Sequence, residues 1–392
     1  MRLGLRDWGP AELWAGSLGA IGFGARASSE AALTRWFSER FRTPALIVNS
    51  GSSALQLALQ LLSEHSPSRS EVVVPALACP ALTRSVLACG LTPRYADIGR
   101  NLNTPVSSLR ACLGQRSLAV IMVHAYGHPA DSAGIQALCK EYGVALIDDA
   151  AQRIEPGSGL GTAGDFGIFS FAQSKSVVCG IDGSGGVLLV NSRKFVAALE
   201  KQWADLPVAR KRHWAWLEFL LTPGFPRAAY YVSRWRHLGS AVPTGPARIA
   251  GVDAAIALQQ LASLDIRRHR RLQLLQHYQL ALTGFGLEAP QMPSTASPDY
   301  LARLMVRVAP EQRENCRKAL ATRGIASRLP YRLPSALGCT AFPQATRSAA
   351  ELLELPLPAK WSAKDVALVA SIAAPFCVSA PSRHDTLSGA LA

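Results

Sequence analysis

One lysine in this chain sits where an amine could act as a nucleophile. Lys175 lies between an apolar segment, Phe166 to Phe171, and Ser176-Val177-Val178. Most lysines are solvated surface charges. Partial burial lowers the pKa of an ammonium and frees the amine to attack a carbonyl. Upstream, two carboxylates, Asp148 and Asp149, end the apolar run Val144-Ala145-Leu146-Ile147. An acid after a strand commonly caps a helix or sits in a solvated turn; its alternative role is to fix a cationic ring nitrogen. A third feature, Ser50-Gly51-Ser52-Ser53, follows the strand-like Ala45-Leu46-Ile47-Val48 and opens a helix-like stretch, Ala54 to Leu62. By itself such a turn is ordinary loop chemistry. Between a strand and a helix it gathers free backbone N–H groups and the positive helix end at one point, where a phosphate can sit. Amine, carboxylate and phosphate cradle are the parts needed to hold pyridoxal phosphate (PLP).

These residues need a scaffold, and the pattern around them supplies one. Leu33, Trp36, Phe37 and Phe41 fall at helical spacing and predict a helix over Ser29 to Phe41. Glu71 to Pro75, Pro93 to Ile98, Leu118 to Val123, Val144 to Ile147 and Gly185 to Val190 read as strands. Helices are expected between them, at Ala81 to Cys89 before Gly90 and at Ser132 to Tyr142 before Gly143. Strands alternating with helices predict an α/β fold with a mostly parallel sheet covered on both faces. Ligands in such sheets bind at the carboxyl ends of strands; Gly51, His124 and Asp149 all fall just past such ends. Asp253 to Leu282 reads as one long helix bridging to a smaller α+β domain, with a strand at Leu304 to Val308 and helices at Glu314 to Arg323 and Ala363 to Ala373. The expected organisation is a large domain over 1–250 with an aromatic and basic insertion at about 201–246, then the bridging helix and small C-terminal domain over 251–377. Residues 378–392 are expected to fray.

Bulk composition narrows the classes. The chain has 392 residues, 49% hydrophobic, enough for a sizeable core. Its 8 cysteines show no CxxC pair or zinc-like spacing, so free thiols and no metal site are expected, as in a cytoplasmic protein. No leader-like start and no membrane-spanning run is read. The formal charge of +14 permits anionic partners. The basic residues do not gather into a nucleic-acid module, so none is expected as a partner.

The motifs together resemble the DegT/DnrJ/EryC1/StrS aminotransferases, the sugar-aminotransferase branch of fold-type I PLP enzymes. Ser50-Gly51-Ser52-Ser53-Ala54-Leu55 is similar to the family's Ser-Gly-Thr-x-Ala-Leu. Leu146-Ile147-Asp148-Asp149-Ala150-Ala151-Gln152 is similar to apolar-apolar-Glu-Asp-x-Ala-Gln. Val123-His124-Ala125-Tyr126-Gly127-His128-Pro129 resembles Val-His-Leu-Tyr-Gly-x-Pro, and Ser170 to Lys175 matches Ser-Phe-x-x-x-Lys. Leu352 to Pro358 resembles the C-terminal Leu-Pro-Leu motif, and the likeness spans roughly Ser29 to Phe376. It implies Lys175 as the residue that binds PLP covalently and shuttles the proton. Asp149 then holds the ring nitrogen, Gln152 lies near the ring hydroxyl, and Gly51, Ser52 and Ser170 hold the phosphate. A homodimer is implied too, because the family builds its sites at a subunit interface. The implied reaction moves an amino group from an amino acid, L-glutamate in the first instance, to a keto group, in the first instance of a nucleotide-linked keto sugar, in surface-polysaccharide or secondary-metabolite synthesis. Relatives with His at the lysine position catalyse dehydration; Lys175 favours transamination.

The chain departs from the family at three places. Cys79 falls where relatives stack an aromatic ring on the cofactor; it reads either as a small buried residue or as a substrate contact. Thr244-Gly245-Pro246 replaces Gly-Tyr-Asn, whose Asn reaches the neighbouring subunit's phosphate, while Arg248 still matches and stands with His124 as a substrate candidate. Gly324 to Tyr331 lacks the usual histidine, which leaves Tyr331 as a substrate candidate. His124 reads equally as a structural strand-end histidine and as a site residue. Residues 210–237 mix arginines, lysines and aromatics; packing, a substrate lid, a subunit interface and peripheral contact with an anionic membrane all suit them. Arg267-Arg268-His269-Arg270-Arg271 reads as the solvated face of the bridging helix. Two other function classes stay open: a PLP enzyme with a non-sugar acceptor or another reaction type, and a non-catalytic binding homologue.

Overall fold

The computed structural model describes residues 9–20, 26–172, 175–179, 185–209, 245–285, 303–334 and 341–377. The segments expected as an aromatic and basic insertion (210–237) and as a frayed tail (378–392) lie outside the described residues, as does Thr244. Helices α1 (Pro10–Ala20) and α2 (Arg26–Phe41) lead into β1 (Ala45–Val48), α3 (Gly51–His65), β2 (Glu71–Pro75), α4 (Pro80–Ala88) and β3 (Thr92–Ala96). Then follow α5 (Val106–Arg110), β4 (Ser117–Val123), α6 (Ser132–Tyr142), β5 (Ala145–Asp149), β6 (Phe166–Ser170), β7 (Gly186–Val190) and α7 (Val196–Ala204). The remainder comprises α8 (Gly251–Ala262), α9 (Leu264–Gly284), β8 (Leu304–Arg307), α10 (Arg313–Thr322), α11 (Pro343–Glu351), β9 (Leu352–Leu355) and α12 (Ala363–Ala373).

Seven strands form one sheet in the order β1-β7-β6-β5-β4-β2-β3. Only β7 runs against its neighbours: β6 and β1 both pair with it antiparallel, while β2, β3, β4, β5 and β6 pair parallel. The other six strands therefore deliver their carboxyl ends to one edge. The apolar runs of β1, β2, β4, β5 and β6 reflect burial on both faces, while the edge strand β3 (Thr92–Ala96) is more polar and partly exposed. Leu55, Leu59, Val72, Ile121 and Leu188 pack one side, with Phe37, Phe169, Phe171, Ile256 and Leu261 on the other. Each such side chain is worth roughly 1.5–3 kcal/mol of burial. Helix α3 begins at Ser50, whose hydroxyl accepts from the Ser53 N–H (3.0 Å).

A separate core surrounds the antiparallel pair β8–β9, built from Leu274 and Tyr278 of α9, Leu320 of α10 and Val366 and Val369 of α12. This region is tied to the sheet by Asp97, just past β3. Its carboxylate accepts the N–H groups of Gln344 (3.0 Å) and Ala345 (2.9 Å), capping α11 from a distant part of the chain.

Two expectations are corrected. The single helix over Asp253 to Leu282 is two helices, α8 and α9, because Ser263 leaves the helical region (φ −107, ψ 11) and turns its hydroxyl back to the Gln260 carbonyl (3.2 Å). The arginines of α9 are not a uniformly solvated face. Arg267 pairs with Glu12, Arg268 with Glu155 (3.1 Å), and Arg271 is buried. Acids supplied by α1 and by the loop after β5 thus give Arg267 and Arg268 their partners.

Candidate active site

Strand alternation decides the fate of the two acids at the end of β5. Successive residues point to opposite faces of a sheet, so Asp148 and Asp149 part company. Asp148 is fully buried and accepts from His124 Nε2 (2.7 Å) and from the Ala163 N–H (3.0 Å). Asp149 accepts the Ala151 N–H (3.0 Å). Burial holds its carboxyl above the ordinary carboxylate range, while the Lys175 cation and that N–H pull the other way. Lys175 is thus close enough to act electrostatically on Asp149.

Lys175 lies five residues past β6 and is half-buried. Its segment is pinned on two sides. The Ser176 hydroxyl donates to the Gln152 carbonyl (3.2 Å) and accepts from the Ile154 N–H (3.2 Å). The Val178 N–H donates to Gln260 Oε1 of α8 (2.7 Å). The lysine is therefore held against the loop that leaves Asp149.

Gly51 opens α3 against the end of β6. A Cβ on Gly51 would stand 2.9 Å from Ser170 Cβ, so only glycine allows this approach. Ser52 lies beside it in the first turn, and Ser170 is buried. Ser50 bridges to Gly185, the residue before β7, so the helix start is fixed to the sheet.

The remaining sequence candidates fall in different places. His124 is wholly buried and has both ring nitrogens engaged: Nε2 on Asp148, and Nδ1 accepting the Ala130 N–H (2.9 Å). Nδ1 as an acceptor means a neutral ring with its proton on Nε2. His124 thus fixes the loop to Ala130 and holds Asp148. Arg248 is engaged by Glu30 (Nη2 to Oε2 2.6 Å) and lies over the Trp203 ring at 4.3 Å. Cys79 is the residue before α4 and half-buried, and makes no side-chain cap. Tyr331 lies at the site: its hydroxyl oxygen is 3.0 Å from Gln152 Nε2 and 3.1 Å from Arg303 Nη1.

Sequence reading missed the cluster around Tyr331. Tyr126 stacks on Tyr331 (centroids 5.7 Å, 12°) in a left-handed conformation (φ 57). Arg303 lies over both rings at 4.9 and 5.3 Å and forms a buried ion pair with Glu354 of β9 (Nε to Oε2 2.9 Å). The only signal available was a charged residue, Glu354, inside the apolar run Leu352-Leu353-Glu354-Leu355.

The residues present fit PLP. Gly51 keeps open a cradle that a Cβ would fill against Ser170, at a helix start. One atom of the Gln152 amide, Oε1, is buried and makes no hydrogen bond in the protein, as expected where a bound group completes the set. A buried carboxylate and a pinned lysine complete the requirement for a ring-nitrogen partner and an amine. Among the described residues, no helix is long and apolar enough to cross a membrane.

Known proteins bear on this arrangement. The model of the DegT/DnrJ/EryC1/StrS aminotransferase family matches residues 30–373. The chain is 29% identical to UDP-N-acetyl-3-dehydro-alpha-D-glucosamine 3-aminotransferase of Acidithiobacillus ferrooxidans over 334 residues, 82% of this chain and 81% of that one. It is 32% identical to GDP-perosamine synthase of Vibrio cholerae over 174 residues, 43% and 46% of the two chains. Among solved structures, the aminotransferase TlmJ of Streptoalloteichus hindustanus superposes with a TM-score of 0.74 at 26% identity, covering 94% of this chain and 96% of that one. Spr1654 of Streptococcus pneumoniae, solved in its PLP form, superposes with a TM-score of 0.74 at 18% identity, covering 95% and 97%. PLP is accordingly the cofactor, the fold is that of the PLP-dependent aminotransferases, and the chain belongs to the DegT/DnrJ/EryC1/StrS aminotransferase family.

Proposed function

We propose that this aminotransferase moves an amino group from an amino acid, L-glutamate in the first instance, to the keto group of a nucleotide-linked sugar. The observation that carries the chemistry is Lys175 held within electrostatic reach of the buried Asp149 at the carboxyl edge of the sheet. The sugar acceptor is supported by relatives named for UDP- and GDP-linked sugars, and by a basic chain (+14) suited to anionic substrates.

PLP, when bound, supplies the electron sink and carries the amino group between donor and acceptor. Gly51, Ser52 and Ser170 hold its phosphate, with the start of α3 adding its positive end. Asp149 takes the ring nitrogen; a cation there returns its carboxyl to the ionised form that burial alone disfavours. Lys175 Nζ would hold the cofactor until the donor amine displaces it; the freed amine would then carry the donor's α-proton to the cofactor and, in the second half, carry a proton from the cofactor to the acceptor's former carbonyl carbon. Proton transfer within the closed site needs the lysine pinned, which Ser176 and Val178 provide. The family's habit of building sites between subunits makes a homodimer part of this reading, with two lobes on either side of residue 250 and cytoplasmic work.

The test adds L-glutamate to PLP-loaded protein and follows the visible band together with 2-oxoglutarate, then adds a UDP-linked keto sugar and seeks an aminated product by mass spectrometry. Loss of the band with one equivalent of 2-oxoglutarate and an aminated sugar are expected. Lys175→Ala should lose turnover by at least about 10⁴-fold while keeping its fold. A full half-reaction followed by amination of a keto acid or aldehyde, and not the sugar, would refute the acceptor.

A further inference from the structure

Arginine can only donate hydrogen bonds, and that single fact orients a buried chain of three side chains. Arg303 Nη1 is 3.1 Å from the Tyr331 hydroxyl oxygen, which is 3.0 Å from one end of the Gln152 amide. Since Arg303 donates to the Tyr331 oxygen, the Tyr331 proton is free to be given onward. With Gln152 Nε2 toward Tyr331, two donors converge on one oxygen, the Tyr331 proton has no acceptor in Gln152, and the buried Oε1 makes no hydrogen bond in the protein. Turning the amide over, an isosteric change, gives the Tyr331 proton an acceptor. Tyr331 then donates to Oε1, and Nε2–H points where Oε1 stood.

The chain is firmly anchored at its far end. Glu354 fixes Arg303 on β9, and the stacked ring of Tyr126 fixes Tyr331. Arg328 also acts on Tyr331 and Glu354. A glutamine held at one end by a cation-backed phenol can present only its N–H at the other.

We propose that Arg303 and Tyr331 are positioning residues which, through Gln152, aim a hydrogen-bond donor at the ring oxygen of bound PLP. This rests on the PLP reading above. The ring oxygen is anionic in the high-pH form of the loaded protein, so a donor on it favours that form and lowers the pH at which the visible band titrates. It also links the β8–β9 region to the electronics of the cofactor, because Arg303 and Glu354 belong to that region while Gln152 follows β5.

The test is the pH midpoint of the visible band of the PLP-loaded protein, with kcat and KM for L-glutamate alongside. Tyr331→Phe keeps the ring stack and the Arg303–Glu354 pair and removes only the oxygen. Its midpoint should rise by about half to one pH unit, with kcat falling more than KM rises. The double variant Arg303→Gln/Glu354→Gln removes both members of the buried pair, at the cost of the Glu354 charge on Arg328, and should shift the same way. A parent-like midpoint in Tyr331→Phe overturns the proposal, as does a shift in the double variant alone, since Arg303 would then act by another route. A parent protein that forms no band overturns the cofactor reading and this one together.

Discussion

Asp148 and Asp149 are neighbours in sequence and opposites in structure. Asp148 is enclosed by donors: a histidine N–H on one oxygen and a backbone N–H on the other. Asp149 is also buried but accepts one backbone N–H and faces a lysine, and burial holds its carboxyl above the usual range. One face of β5 is enclosed by donors, and on the other a buried carboxyl whose titration is displaced sits beside a lysine, the kind of environment in which functional sites are sought.

Replacing each acid separately would break this contrast or sharpen it. Asp149→Asn should reduce turnover by about 10²–10³-fold, the scale of losing one fixed charge partner. Its effect on cofactor-free stability should have the opposite sign. The folded carboxyl titrates above the unfolded one, so the unfolded chain ionises first as pH rises. Stability is therefore lost as pH climbs through the carboxylate range toward the raised folded value, and remains lost above it. The Asn variant escapes that loss, and its apo-protein should melt no lower than the parent at pH 7, by calorimetry. Asp148→Ala should do the reverse. Stripping the partner of His124 and Ala163 should cost about 2–3 kcal/mol in urea unfolding, with kcat of the surviving folded protein within a few-fold of the parent. A smaller effect is expected at the cradle. Gly51→Ala puts a methyl 2.9 Å from Ser170 Cβ, and PLP affinity should weaken about tenfold, a cost within the usual range for overpacking. Equilibrium dialysis against PLP measures it.

The local parts of the proposed site could be read from the sequence because each is a short motif whose meaning is carried by neighbours in the chain. Gly51 follows a strand and opens a helix, and Asp149 ends a strand. Most of the sheet was legible for the same reason: its inner strands are buried on both faces and read as apolar runs. Arg303, Tyr126 and Glu354 were not legible. Their relation is a contact between a residue before β8, a loop after β4 and a residue of β9, and no spacing encodes it. His124 was left open between two roles because a strand-end histidine reads alike in both; only the Ala130 N–H on Nδ1 shows how it is used. The break at Ser263 escaped notice because a serine inside an apolar helical period carries too small a penalty to stand out. The pairing of α9's arginines depends on acids from α1 and the loop after β5, which lie far off in sequence.

The reversed strand β7 has a consequence for synthesis. Strand β1 touches the sheet only through β7, and Val48 finds its partner at Gly186. The proposed phosphate cradle, Ser50-Gly51, leans on Ser170 and Gly185 as well. The first strand to leave the ribosome therefore waits for the last strand of its sheet, on the order of ten seconds at the usual pace of translation. Through that interval an apolar segment and the proposed cofactor cradle stay without their neighbours.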